Sequence, residues 1–499
     1  MNLSTIKDFE NWLINVHEKE NIELKKSSDF PTSFWETYSS FCNTSGGLIF
    51  LGVKESENQN VIVGINNSEK ILKTLWDQLS NPNKVSFRMI ESQDVSQIKV
   101  GDKTIIAVRV KEAPESIKPV YINNKIENSY IRTGDGDRQA TKEEISSMLR
   151  NAKPIMDTLP ADKFSLDDLD PESLITFKER INKRYPSKKY IEMNNKDFLK
   201  EIGACYVDRE THEYKIKRGT LLFLGKINSI KEIYPSYHVD YFNYNGNNPR
   251  WNDRVTDDEP SDYEMNLYNF YTIVYDKLRM QQTSSFQLDS SNTRVPVSEF
   301  EGILRECIVN CLAHADYIQA YPSVKIEAFG NKYKFSNPGK LLVTKEQFRI
   351  GGDSRPRNEI VMKLFRLLGV AERQGFGGPV IYKVAEENYY RNPEIVSNLE
   401  KTELVVWKSD LADSLEGLSQ DENSIIKLLI RTGIPVSVSE IQNKTGLTEY
   451  KARKVLKSLE QVKTLIEKKG NGSSTKYQLI KKDDFFPKLL NSLKNFSKD

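Results

Sequence analysis

Over the first 150 residues, stretches with helical spacing alternate with short β-rich apolar runs: LIFLGV, VIVGI, TIIAVRV and NSYIRTG. The helix-like TKEEISSMLRN closes the region, and this alternation predicts a compact α/β domain. From about 160 to 415 the pattern predicts a helix around Pro171–Ile181, a strand at TLLFLGK and a long helix near Tyr263–Gln281. A helix through Glu306 follows, then strands at VKIEAFG and KYKFSN, a Gly-rich turn near 375 and a strand at TELVVW. The last stretch, from VSVSEIQNKTG to STKYQLI, reads as helix, turn at Gly446, helix from Thr448, then a hairpin with GNGSS at its tip. Val455, Leu456 and Leu459 take the core side of the second of these helices.

A chain of 499 residues exceeds what one hydrophobic core supports and predicts about three domains. Pro154 and Pro160 bracket one linker, and the polar, acidic SDLADSLEGLSQDEN marks another. The expected division is 1–153, 160–415, 421–482 and a basic tail over 483–499. No apolar run approaches the ~20 residues of a membrane helix. Acids stand where a secretory leader needs an apolar stretch, so the expected location is cytoplasmic. Cys42, Cys205, Cys307 and Cys311 form no CxxC pair, which predicts reduced, buried thiols and, with four histidines, no structural zinc. The net charge of +2 conceals an asymmetry: from Asp421 onward, 14 Lys and 2 Arg face 9 acids, an excess of seven that leaves the preceding residues at −5. A basic terminal module points to a polyanionic partner; the plainer reading is a solubilising tail.

The richest segment is VSEFEGILRECIVNCLAHADY. Ser298 and Glu301 form a capping box that starts a helix near 299. Ile303, Cys307 and Cys311 share an apolar face, while Glu306, Asn310 and His314 recur every four residues as a polar stripe. A solvated face explains the stripe as simply as a site does; Asp316 and Tyr317 directly after the helix favour a site. The segment resembles the N-box of the GHKL ATPase superfamily, in the form that carries a RecG-like C-terminal region. KFSNPGKL, SRPRNEIVMKLFRLLG and ERQGFGGPVIYKV resemble its later motifs in order, and RGTLLFLGK resembles an upstream strand, so the likeness spans roughly 190–395. It implies a Bergerat-type α/β sandwich binding ATP with Mg²⁺. Glu306 would orient or deprotonate the attacking water, and the Asn310 carbonyl would hold the metal. His314, Asp316, Asn337 and Gly339 would line the nucleotide site, with Gly375, Gly377 and Gly378 letting backbone approach phosphates or adenine. Asn337 stands where the family has an adenine-binding aspartate, and G-F-G replaces its G-T-G.

At the other end, ENIELKK, FCNTSGGLIFLGVKE and YIRTGDGDRQATKEEI resemble the Schlafen AlbA-like domain over about 15–150. Gly46 and Gly47 permit a tight turn there, and Asn43 and Thr44 are expected to hydrogen-bond the amides it frees. The resemblance implies nucleic-acid binding and, in RNase members, a carboxylate cluster with a divalent metal. Glu18 and Glu23 match two of those acids, with Lys25 in register. Lys54 follows Gly52-Val53 where a third acid normally stands, and Glu55 comes one later, a shift that turns a strand residue to the other face. Lys54 is therefore expected to pair with Glu23 and contact phosphate, making a holding site rather than a cutting one. The plainer reading leaves Glu18 and Glu23 as surface acids.

In the terminal module, Lys451, Arg453, Lys454 and Lys457 crowd the exposed side of the second helix, as in a winged-helix recognition helix. Lys468, Lys469 and Lys476 would flank the wing and meet phosphates. Protein docking is the alternative use of such a module. The whole reads as an α/β and α+β multidomain protein: AlbA-like domain, GHKL-like sandwich and small winged helix. Its expected function is that of an ATP-binding, Mg²⁺-dependent ATP-hydrolysing regulator that binds DNA or RNA in transcription control or phage defence, as a homo-oligomer. The alternatives are a nucleotide-gated, metal-dependent Schlafen-type RNase and an ATP-dependent oligomeric scaffold.

Overall fold

A computed structural model describes residues 5–27, 29–152, 156–244, 250–284, 297–319, 321–352, 356–371, 377–387, 390–408, 417–432, 435–462, 465–469 and 475–479. Two compact units divide these residues, one built on Met1–Lys153 and the other on Pro154–Ile480. Among the described residues, no helix is long and apolar enough to cross a membrane.

The first unit opens with α1 (Ile6–Asn15), whose Thr5 and Asp8 cap each other's amides. There follow β1 (Ile22–Lys25), α2 (Phe34–Asn43), β2 (Gly47–Leu51), β3 (Val53–Lys54), β4 (Val61–Ile62) and α3 (Ser68–Leu79). β5 (Val95–Val100), β6 (Lys103–Val110), β7 (Tyr130–Thr133), β8 (Gly136–Gln139) and α4 (Lys142–Ala152) complete it. The main sheet has the order β1-β2-β6-β5, with β1 parallel to β2 and the other neighbours antiparallel. Every residue of β2 is buried, which explains its unbroken apolar run. Phe34, Trp35, Phe41 and Leu75 pack with Ile49 and Leu51 in one core, and Phe9 and Trp12 pack with Leu48 and Phe50 in another. The turn into β2 departs from expectation. Asn43 is fully buried and reaches across the unit, donating to the carbonyls of Val120 (2.9 Å) and Tyr130 (3.0 Å) and accepting from the Val120 amide (2.8 Å). Thr44 donates to the Ser40 carbonyl at 2.7 Å.

The second unit begins with α5 (Pro171–Arg184), α6 (Asn195–Glu201), β9 (Cys205–Val207), β10 (Tyr214–Ile216), α7 (Arg218–Leu224) and α8 (Ile227–Ile233). The strand expected at TLLFLGK is α7, a helix. A short apolar run buried on every side has no periodicity to separate strand from helix. Leu221, Leu222, Phe223 and Leu224 are all fully buried. A mixed six-stranded sheet then forms from β11 (Val239–Asn243), β12 (Asp253–Thr256), β13 (Val324–Ala328), β14 (Lys332–Pro338), β15 (Glu394–Ser397) and β16 (Lys401–Trp407). Its order is β12-β11-β13-β14-β16-β15, with only β11 and β13 parallel. α9 (Leu267–Ser284) and α10 (Val297–Ala313) pack together, α10 lies on β13 and β14, and α11 (Lys345–Ile350), α12 (Glu359–Leu368) and α13 (Gly377–Glu387) follow. α10 starts two residues earlier than expected; the Ser298 side chain lies outside the described residues. All four cysteines are buried, free thiols.

The same unit carries α14 (Gln420–Thr432), β17 (Val436–Ser437), α15 (Val438–Thr445), α16 (Glu449–Lys457), β18 (Ile466–Lys469) and β19 (Lys476–Leu479). The strands form a sheet of order β17-β19-β18 beside three helices, around a core of their own that includes Ile425, Ile441, Leu456 and Ile466. Leu459 is fully buried and Val455 packs against this core, as their spacing predicts.

Candidate functional site

α10 aligns Glu306, Asn310 and His314, and all three are half-buried, so the stripe is not a solvated face. The Asn310 amide donates to Glu306 Oε1 at 3.1 Å. α13 begins directly against that carboxylate: a Cβ on Gly377 would stand 2.0 Å from Glu306 Oε1. Any side chain there would have to displace Glu306, and the positive end of α13 faces the acid. Gly378 is equally confined, since its Cβ would lie 1.8 Å from the Phe348 carbonyl oxygen of α11. Both glycines thus sit in the first turn of a helix and serve close packing between helices; Gly375 lies outside the described residues.

The turns after α10 and β14 meet at a side chain to which the sequence alone assigned no role. Arg357 is almost wholly buried and donates from Nε to the His314 carbonyl (3.0 Å) and from Nη2 to the Lys340 carbonyl (2.9 Å). Asp316, also buried, lies 4.0 Å from its Nη1. Gly339, at φ +89°, passes beneath the guanidinium, where a Cβ would come within 2.9 Å of Nη2. Asn337 is buried beside it, its amide turned to the Pro338 carbonyl at 3.1 Å. Next to Arg357, Asn358 donates to the carbonyls of Ala313 (3.1 Å) and Ala315 (2.7 Å), which α10 leaves without helical partners at its end. Asp157 accepts the amides of Glu359, Ile360 and Val361 at the start of α12 (3.0, 2.7 and 3.1 Å), and burial pushes its acid up to about 6. The His314 Nδ1 is buried without a partner, and burial together with Arg357 pushes the imidazole down to about 4, so the ring is neutral near pH 7.

In the first unit the structure gathers Glu18, Glu23, Lys25 and Glu55. Glu23 is buried between two cations: Oε1 lies 2.7 Å from Lys25 Nζ and Oε2 2.8 Å from Arg132 Nη1. Arg132 is itself buried, pairs with Asp137 at 3.0 Å and donates to the Lys19 carbonyl at 2.9 Å. Both belong to the YIRTGDGD run, where neither was singled out from the sequence. Glu18 accepts the Leu24 amide at 2.9 Å and donates its own amide to Glu55 Oε1 at 3.0 Å. Burial, with smaller contributions from Glu23 and Glu55, pushes the Glu18 acid up to about 7. The expected Lys54–Glu23 pair does not form. β3 ends at Lys54 with its side chain exposed, the chain then turns, and Glu55 returns to Glu18. Lys25 and Arg132 hold Glu23 instead.

Among the described residues, one set of three acid or histidine ligand atoms converges within 4.8 Å: His238, Asp257 and Asp258. Its histidine is already committed. Asp240 and Asp257 take its two ring nitrogens at 2.7 and 2.8 Å and hold the imidazolium up to about 10. Lys231 Nζ, 2.8 Å from Asp257, supplies a further cation. This cluster is an ion-pair network rather than a metal centre.

On the C-terminal module, Lys451, Lys454 and Lys457 are exposed along α16, while exposed Arg453 shares its charge with Glu449 at 2.8 Å. Lys469 and Lys476 face each other across the β18–β19 pair, with exposed Lys468 beside them. Like charges directly opposite destabilise a strand pair unless an anion screens them.

Family models match four segments. Residues 18–141 match "Schlafen, AlbA_2", and residues 322–406 match "Putative ATP-dependent DNA helicase recG C-terminal", which begins after α10. Residues 421–480 match "FaeA-like protein", and residues 146–240 match DUF8451, a domain of unknown function. No curated protein matches the chain. Among solved structures, the DIP2311 protein of Corynebacterium diphtheriae is 14% identical over 96% of this chain and 94% of that one, with a TM-score of 0.40. The N-terminal domain of a RecG-related protein of Nitrosomonas europaea is 26% identical over 28% of this chain and 94% of that one, with a TM-score of 0.22. In domain composition the chain thus joins a Schlafen AlbA_2 segment, a RecG C-terminal-type segment and an FaeA-like segment, in the order its motifs predict.

Proposed function

We propose that this chain is an ATP-binding regulator that holds nucleic acid without cutting it. The observation that carries the reading is the state of Glu23, whose two oxygens face Lys25 and Arg132. A carboxylate nuclease needs several acids turned toward one hard cation. Here the most buried acid is spent on two protein cations, Lys25 and Arg132. The RNase alternative draws on the approach of Glu55 to Glu18, which places two further acids next to one another.

In the second unit the donor set suits a magnesium nucleotide. Asn310 offers a hard amide oxygen, as its amide nitrogen is directed to Glu306. The Gly377 backbone closes over the same carboxylate in a space that any Cβ would fill. A bound Mg²⁺–ATP would supply an electrophilic γ-phosphate. Glu306 would orient the attacking water and accept its proton at the carboxylate. Because α13 starts against Glu306, a ligand that draws this side chain away also releases the start of α13. Nucleotide state is thereby translated into helix position. Assembly as a homo-oligomer and a role in transcription control or phage defence belong to the same reading.

Lys451, Lys454 and Lys457 with Lys468, Lys469 and Lys476 would meet the phosphates of duplex DNA. Deleting residues 421–499 is expected to weaken duplex binding and to flatten its salt dependence, because fewer counterions are released. Titrations at several salt concentrations measure this. An unchanged slope assigns the module to protein docking.

A further inference from the structure

A cavity of about 1130 Å³ in this unit is lined by none of the described residues assigned to the nucleotide. Among the described residues, Arg184, Lys217, Arg305, Lys363 and Arg366 line it against a single acid, Glu359. Among the described residues, none of these five cations has a carboxylate within ion-pair distance. Lys217 donates to the Gly203 carbonyl at 3.0 Å, and a Cβ on Gly203 would lie 2.4 Å from Lys363 Nζ, so two ammonium groups converge on one residue. The Arg184 guanidinium presses on Gly369, where a Cβ would fall 1.6 Å from Nη1. Arg305 Nε is buried with no hydrogen-bond partner. Burial, then Lys217 and Arg366, hold the Lys363 ammonium below its ordinary range. Tyr185 accepts from Arg184 Nε at 3.2 Å, its ring centre 5.6 Å from that guanidinium, and Leu367 adds apolar wall.

A protein does not gather unpaired cations around one cavity without a cost in repulsion and desolvation. A multiply charged anion relieves both. Its size is bounded by the cavity, which is in the range of small-molecule sites (~300–1,000 Å³) or slightly above. A nucleic-acid strand asks for something else, a groove that continues along the backbone with bases stacked on aromatic rings. We propose that this cavity binds a small ligand carrying two or more adjacent phosphates, at a site separate from the Glu306–Asn310 site. Arg184 and Arg305 would take phosphate oxygens as planar donors and Lys217 and Lys363 as point charges.

Sodium tripolyphosphate, without magnesium and at fixed ionic strength, is the probe. Calorimetric titration of the full chain should show binding that Asn310→Ala leaves within twofold and that Lys363→Ala/Arg366→Ala weakens at least tenfold. The double variant should melt no lower than wild type without ligand, since it loses mutually repelling charges, and tripolyphosphate should raise the melting temperature of wild type alone. If the double variant melts early, Lys363→Gln is read by the same titration. Equal binding by wild type and variant, or no binding by wild type at millimolar probe, overturns the proposal. So does a single-stranded oligonucleotide whose affinity falls in the double variant while tripolyphosphate does not bind. Retained tripolyphosphate binding in Asn310→Ala keeps this result independent of the nucleotide reading.

Discussion

Arg132→Met is expected to destabilise the first unit by about 3–5 kcal/mol, the usual cost of removing one partner from a buried charge network. The guanidinium pairs with Glu23 and Asp137, donates to the Lys19 and Ile22 carbonyls, and lies 5.3 Å from the centre of the Phe41 ring. Methionine fills much of the volume but leaves two largely buried carboxylates without the guanidinium between them. Arg132→Lys should recover only part of the loss, since an ammonium cannot span both acids and both carbonyls. Hydrogen exchange at the β1 and β7 amides reads the loss locally. A change below about 1 kcal/mol would show that the network is not what holds these strands.

The second large effect concerns α10. Asn310→Ala should abolish Mg²⁺-dependent ATP binding, because it removes the amide oxygen that the metal would use. Glu306→Ala should still bind ATP but hydrolyse it more slowly by ~10²–10⁴, the usual contribution of a positioned general base. Equilibrium binding of a fluorescent ATP analogue separates the first effect, and single-turnover phosphate release the second. Unchanged ATP affinity in Asn310→Ala would refute the metal role.

Local signals were legible and long-range ones were not. The four-residue spacing of Glu306, Asn310 and His314 placed them on one helix face, and the first two do bond to each other. The helix–turn–helix–hairpin of the terminal module was readable for the same reason, since its apolar positions repeat within a few residues. TLLFLGK was misread because a segment buried on all sides carries no period. Arg357 holds a carbonyl 43 residues away, and Asp157 caps a helix 202 residues away. No local pattern announces such partners. The acids of the first unit were readable as a set, but their charge balance was not, since it depends on Arg132 more than a hundred residues further along the chain. Strand alternation alone set Lys54 toward Glu23, whereas β3 ends at Lys54 and its side chain is exposed. That Glu55 returns to Glu18 required knowing where β3 ends.

Holding without cutting is decided by incubating the full-length protein with end-labelled RNA, in EDTA and with Mg²⁺ or Mn²⁺. The expected result is a complex that forms without metal and RNA that stays full length in every condition. Binding should tighten as pH falls through about 7, because the Glu18 carboxyl takes up a proton there and its negative charge near the phosphate is lost. Metal-dependent cleavage by wild type that disappears in Glu23→Ala would contradict the account and make Glu55 the third ligand of a working nuclease.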